Sequence, residues 1–273
     1  MTPIRFLRRP KSRRIVQLLG GLACCAALAA CSPMRQAKVE PLPTAMDDAA
    51  MQAGELRIAA ASLASGDIDT ALSLYQRITT VRPTMTAGWL GLGDTLYLAG
   101  DMSAARQAYQ AALEREPGQA DALLGISRMD IRQRRFAEAI AGYQAILQTH
   151  PDHPLALSGL GVAYDLSGRP TLAQAAYRRG LQAHPDDPAL RSNLGLSLSL
   201  NGRPREAVNV LLDVMGVPAG LPQGRHNLAL AYAMMGRDDA AESILLSDMP
   251  RSSVDDNLTF YHEVRRRIGA AGN

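Results

Sequence analysis

The sequence predicts an all-α fold, a right-handed solenoid of about six helical hairpins closed by a C-terminal helix. Three observations carry this expectation. Five glycines (Gly66, Gly100, Gly168, Gly202, Gly236) and six alanines (Ala71, Ala105, Ala139, Ala173, Ala207, Ala241) fall on one 34-residue grid, and a fixed period of that length marks stacked repeats. Apolar residues make up 47% of the chain and aromatics only 4%. Its abundant Ala and Leu lose little side-chain freedom in a helix. The three cysteines, Cys24, Cys25 and Cys31, all precede the repeats. The repeats therefore contain no disulfide, thiolate metal site or nucleophilic thiol and must be held by packing.

In chain order, residues 1–30 come first. Arg5, Arg8, Arg9, Lys11, Arg13 and Arg14 precede an uncharged, largely apolar run over 15–30, the order of a secretory signal. That run is 16 residues long, short of the ~20 needed to span a bilayer core. At its end, Leu28-Ala29-Ala30-Cys31 resembles the lipobox of bacterial lipoproteins. The resemblance implies cleavage before Cys31 and acylation of that residue, and three acyl chains suffice for stable anchoring. An uncleaved signal anchor is the other reading. Ser32 is not acidic, which by resemblance to lipoprotein sorting implies an outer-membrane location with the body facing the periplasm. Residues 31–51 read as the lipidated cysteine and a tether, with three prolines and little apolar periodicity. As a coil it would span roughly 25 Å, and fully extended about 65 Å.

The net charge of +3 belongs to the leader. Setting aside its six basic residues leaves 23 of 29 basic against 26 acidic, or −3. A mildly acidic body argues against nucleic acid as a partner.

The repeat blocks are expected at 52–85, 86–119, 120–153, 154–187, 188–221 and 222–250, ending by 251. Pro83, Pro117, Pro151 and Pro185 share the grid, and Tyr75, Tyr109, Tyr143 and Tyr177 form another line of it. Each glycine closes a first helix in the left-handed conformation. Each proline ends a second helix, because the residue before proline disfavours the helical region. Gly93, Gly161 and Gly195 allow close helix approach, and the tyrosines fill the space beside the block alanines. One hairpin cannot bury both its faces, but a stack can. In block 86–119, Trp89, Leu92, Gly93, Gly100, Ala105, Tyr109, Ala112 and Pro117 stand where the tetratricopeptide repeat has them, so the chain resembles that family over about 52–247.

Departures from the pattern carry their own expectations. Arg134 stands where the turn glycine belongs and Ser127 at the small position, so the third turn is expected to be strained or slightly shifted. Leu211 and Leu245 replace the tyrosine in the last two blocks. Residues 252–273 read as a polar capping helix and tail. Ser252 or Ser253 is expected as its N-cap, Asp255 and Asp256 at its positive start and Arg265 to Arg267 at its negative end. A polar end keeps an open solenoid from stacking on another chain.

A stack of such hairpins curves, with the first helices lining its concave side. The inward positions counted along the grid include Leu90, Asp94, Tyr97, Leu124, Arg128, Ile131, Arg132, Ser158, Val162, Asp165, Ser192, Asn193, Leu196, His226, Asn227 and Leu230. Eight of the polar members, Asp94, Tyr97, Arg128, Arg132, Asp165, Asn193, His226 and Asn227, form the candidate partner-binding set, and the mixed surface suits an extended peptide or a helix. Asn193 and Asn227 are equivalent, one repeat apart. Their amides either grip a bound backbone or satisfy polar groups between helices.

Other constellations read as structural. His150 and His184 share a grid position before proline, and His153 follows as a loop residue. A metal would want a third ligand. Gly91-Leu92-Gly93 and Gly159-Leu160-Gly161 lack a phosphate-loop lysine. No serine, histidine and acid fall in a hydrolase order, so neither catalysis, cofactor nor metal is expected.

The C-terminal run Arg225-His226-Asn227-Leu228-Ala229-Leu230-Ala231, then Gly236, Ala240-Ala241-Glu242, Asn257-Leu258 and Tyr261, together with the lipobox and overall length, resembles the TadD-type lipoproteins of tight-adherence (Flp) pilus assembly. The type IV pilotins are a related group. The resemblance implies a scaffold whose groove holds the pilus secretin or another pilus-assembly component; a monomer is the default expectation, and the residues themselves argue for a non-enzyme. An adaptor for periplasmic cell-wall hydrolases, or for another envelope complex, is the alternative.

Overall fold

The computed structural model describes residues 48–212 and 222–271. The expected signal peptide, Cys31, the tether up to 47 and the join at 213–221 lie outside the described residues.

The described residues form thirteen helices and no strands. They pair as α1 (Asp48–Ala64) with α2 (Ile68–Val81), α3 (Thr86–Ala99) with α4 (Met102–Arg115), and α5 (Ala120–Arg132) with α6 (Phe136–Thr149). Next come α7 (Pro154–Leu166) with α8 (Pro170–Ala183), α9 (Pro188–Leu200) with α10 (Pro204–Leu212), and α11 (Pro222–Met234) with α12 (Asp238–Leu246). The thirteenth, α13 (Arg251–Ala271), follows them. Helix α1 starts inside the stretch read as tether.

Each hairpin turns in the same way. At the second one, Gly100 takes φ 88°. Its N–H donates to Tyr97 O at 3.2 Å, and the Asp101 N–H donates to Leu96 O at 3.0 Å. Arg134 keeps this geometry. It adopts φ 58°, and the bonds Arg134 N–H to Ile131 O (3.0 Å) and Arg135 N–H to Asp130 O (2.8 Å) are both formed. The third turn is thus strained but not shifted. The carboxylate of buried Asp130 holds it from below, accepting from Arg135 and from Arg106, each at 2.6 Å. The second helices α2, α4, α6 and α8 end two residues before the expected prolines, with the C-caps Arg82, Glu116, His150 and His184 immediately before them.

The core repeats one motif. Tyr109 is 1% exposed and wedged between two glycines. A Cβ on Gly93 of its own hairpin would stand 2.6 Å from the ring, and one on Gly125 of the next hairpin 2.3 Å. Tyr143 meets Gly159, and Tyr177 meets Gly161, at similarly short distances. Leu211 fills the same place against Gly195. Bare backbone at Gly93 and Gly125 lets Tyr109 bridge three helices, and single glycines admit the other rings against a neighbouring helix.

Each first helix touches the first helix of the next hairpin, whereas no two second helices pack on each other comparably among the described residues. Closer approach on one side bends the stack, and the first helices line its inner face.

Helix α13 differs from its expectation. It begins at Arg251, straight after Pro250, so Ser252 and Ser253 lie within the helix and cap nothing. It has no acid in its first turn and no base in its last, since it runs on to Ala271. It is also not polar all round. Val254 and Tyr261 are buried with Leu230, Ala233 and Leu245. Tyr261 falls one 34-residue step beyond Asn227, and its hydroxyl donates to His226 O at 3.4 Å. Arg265 donates to Ala233 O at 2.8 Å, a carbonyl that also accepts from the Gly236 N–H of the turn at 3.0 Å. Helix α13 therefore packs on α11 in the place of a next first helix.

Candidate partner-binding groove

The inner face carries three joined recesses. The central one encloses about 490 Å³ and is lined by Leu90, Asp94, Leu124, Arg128, Ile131 and Val162, among others, with Tyr143 in its wall. Toward the N-terminus it shares Asp94 and Arg128 with a recess of about 270 Å³ that adds Leu63, Tyr97 and Leu98. Toward the C-terminus it shares Val162 with one of about 340 Å³ bounded by Asp165, Leu166, Asn193, Leu196 and Leu200. Apolar walls with a few charged groups suit a peptide ligand, the walls excluding water and the charges setting the register.

The repeat tyrosines reach this face from behind. Tyr109 donates its hydroxyl to Asp94 Oδ1 at 2.6 Å, and Tyr177 donates to Asp165 Oδ2 at 3.1 Å. Ser197 also donates to Asp165, at 2.8 Å. Burial pushes the Asp165 carboxyl above its ordinary pKa, and these two hydrogen bonds oppose that shift. In the hairpin between, the positions equivalent to the two acids hold Arg128 and Ile131, and the Tyr143 hydroxyl has no such carboxylate. Burial raises its pKa to about 12.

Tyr97 carries two guanidinium groups. Arg128 lies 5.0 Å from the ring centroid and Arg132 5.3 Å, within cation–π range. Arg128 also reaches Asp94 at 3.4 Å. Arg132, by contrast, has no carboxylate within ion-pair distance among the described residues.

The expected set thus divides. Asp94, Tyr97, Arg128, Arg132, Asp165 and Asn193 come together along α3, α5, α7 and α9. Asn193 donates to Ser158 Oγ at 3.0 Å and still borders the C-terminal recess. Asn227 does not belong to the groove. It is 8% exposed and donates to Ser192 O at 3.1 Å and to Ser192 Oγ at 2.9 Å. Of its two readings, the structure selects the one between helices. His226 is also displaced, its ring 3.7 Å from Asp248, a carboxylate already paired with Arg225. Asn227 is held by Ser192 of α9 and His226 lies beside Asp248 in the α12–α13 connection, while Tyr261 of α13 reaches the His226 carbonyl. Sequence counting also missed Leu98, Leu166 and Leu200 at the rim. Their signal was present, since all three lie on one grid line.

His153 accepts from the Ala156 N–H at 3.4 Å and caps α7, and His184 bonds Asp152 O at 2.7 Å. No three His, Cys, Asp or Glu side chains among the described residues are grouped to hold a metal.

The tetratricopeptide-repeat family model matches residues 56–122, 124–188 and 167–215, more than half of the chain. This chain belongs to the tetratricopeptide repeat family, a class of protein-binding scaffold. Its fold is similar to several solved structures. PilW, described as a widely conserved type IV pilus biogenesis factor, matches with a TM-score of 0.66 and 20% identity, over 75% of this chain and 96% of PilW. PilF of Pseudomonas aeruginosa matches with a TM-score of 0.62 and 16% identity, over 72% and 89% of the two chains. YrrB, described as a repeat protein with an unusual peptide-binding site, matches with a TM-score of 0.50 and 17% identity, over 72% and 97%. No curated protein sequence matches the chain.

Proposed function

We propose that this protein is a lipid-anchored scaffold of the outer membrane, facing the periplasm, which holds a pilus-assembly component in its groove. The pilus secretin is the favoured partner, by the TadD-type resemblance. The observation that carries the reading is the continuous inner face from Leu63 to Leu200, apolar in its walls and charged at Asp94, Arg128 and Arg132. The similarity of fold to PilW and PilF supports a pilus role, and the Leu28-to-Cys31 motif supports the anchor. Acyl chains on Cys31 would keep the groove at the membrane surface, where it raises the local concentration of secretin subunits and guides their assembly.

The test is capture from detergent-solubilised envelopes with the tagged wild type, Cys31→Ser and the groove double variant Tyr97→Ala, Arg128→Ala. The reading expects a secretin or other pilus component with wild type and its loss with the groove variant. It expects Cys31→Ser to leave the membrane fraction. A cell-wall hydrolase as the groove-dependent partner would overturn the pilus assignment and leave the scaffold.

A further inference from the structure

The first helices of successive hairpins each present the residue at one grid position, and from α3 to α9 that line reads Leu98, Arg132, Leu166, Leu200. All four are exposed, the leucines at 59%, 53% and 42%. Single exposed leucines need no explanation. Three on one grid line, each bordering a groove recess, form a rail. Arg132 interrupts it with a guanidinium stacked on Tyr97 and no carboxylate partner among the described residues.

The spacing of the rail selects its occupant. Neighbouring packed helices lie roughly 8–10 Å apart, so the rail offers one contact about every 10 Å. A helix laid along it advances about 10.5 Å in seven residues and returns the same face to the rail at every hairpin. An extended strand repeats its face every ~6.7 Å and falls out of step by the second hairpin. We infer that the groove's occupant is an amphipathic helix. Its contact face carries one residue per heptad over four heptads, three apolar against the leucines and one acidic against Arg132. A carboxylate there gains a charge-assisted, bidentate hydrogen bond. The pattern apolar, acidic, apolar, apolar also fixes which way the helix lies, because its reverse would set the carboxylate against Leu166.

This inference rests on the groove being the partner site, and its test separates the two. A 22-residue helical peptide, with Leu at positions 1, 15 and 22 and Glu at 8 in an Ala, Gln and Lys background, is immobilised. Retention of the full chain, solubilised in detergent, is measured for wild type, Arg132→Glu and Leu166→Asp. A second peptide carries Lys at position 8, and a third has the same composition with Leu at alternate positions. The inference expects Arg132→Glu to bind the first peptide at least tenfold more weakly and to recover on the Lys peptide. Leu166→Asp should weaken both, and the third peptide should not be retained. Equal retention across the series, or none, overturns the helix. If the envelope partner is still captured through Tyr97 and Arg128 while the peptide series is flat, the helix fails and the proposed function stands. If both captures are lost, the function reading fails with it.

Discussion

Tyr109 donates its hydroxyl to Asp94 Oδ1 at 2.6 Å, and through this bond the packed interior of a hairpin sets the position of a groove carboxylate. The same Asp94 oxygen faces Arg128 at 3.4 Å, and Arg128 in turn lies over Tyr97. Core and site are one chain of contacts here, so changes in the interior are expected to reach the groove.

The wedge around Tyr109 gives the first prediction. Gly125→Ala places a methyl where 2.3 Å separates it from the ring. The overpacking cost of ~1–3 kcal/mol exceeds the ~1 kcal/mol that Ala gains over Gly in a helix. Gly54, with nothing within 4 Å of its added Cβ, is the control, and Gly54→Ala is expected to stabilise. Urea midpoints of the two variants should move in opposite directions.

At the third turn, Arg134 stands at φ 58°, a conformation costing a non-glycine residue roughly 1–2 kcal/mol. Arg134→Gly relieves it but loses the contact of the guanidinium with Phe136 and loosens the unfolded chain, leaving a gain of up to ~1 kcal/mol. Gly100→Arg, the mirror change, is expected to destabilise by ~1–2 kcal/mol. Thermal unfolding of both variants checks the sign.

The two equivalent asparagines should part company. Asn227→Ala leaves Ser192 without its partner inside the stack and is expected to cost ~1–3 kcal/mol, with partner capture unaffected once folded. Asn193 is half-buried, so Asn193→Ala is expected to cost ~0.5–1.5 kcal/mol. Chemical denaturation of the pair gives the comparison.

Alkaline titration tests the buried tyrosines. Burial raises the pKa of Tyr143 from 10.0 to about 12, and it raises those of Tyr109 and Tyr177 as well. The fold favours their neutral form. Their contribution is fully present below about pH 10 and is lost as pH rises through the folded-state values. Ultraviolet titration should show these rings ionising only together with the loss of helix by circular dichroism.

The hairpins were legible because their causes are local. Gly100 closes a helix, Pro117 ends one, and Gly93 admits Tyr109, each within a single 34-residue block. The Arg134 turn was legible as an exception to the same rule. The end of the groove was not. Asn193 and Asn227 share residue type, grid position and a serine partner on the preceding first helix, and they differ in burial, which only the packing around α11 decides. That packing rests on Val254, Leu258 and Tyr261, spaced three to four residues apart within a run whose many charges read as polar. The rim leucines were passed over because exposure depends on tertiary position, which the grid alone does not supply.

The most direct measurement is site-specific photo-crosslinking in intact cells, with a benzophenone amino acid placed at Tyr97 or Leu124 in the groove and at Arg178 on the second helix α8. The account predicts one common protein adduct from both groove positions and none from Arg178. An adduct of that protein from Arg178 alone, or no adduct from the groove, would contradict it.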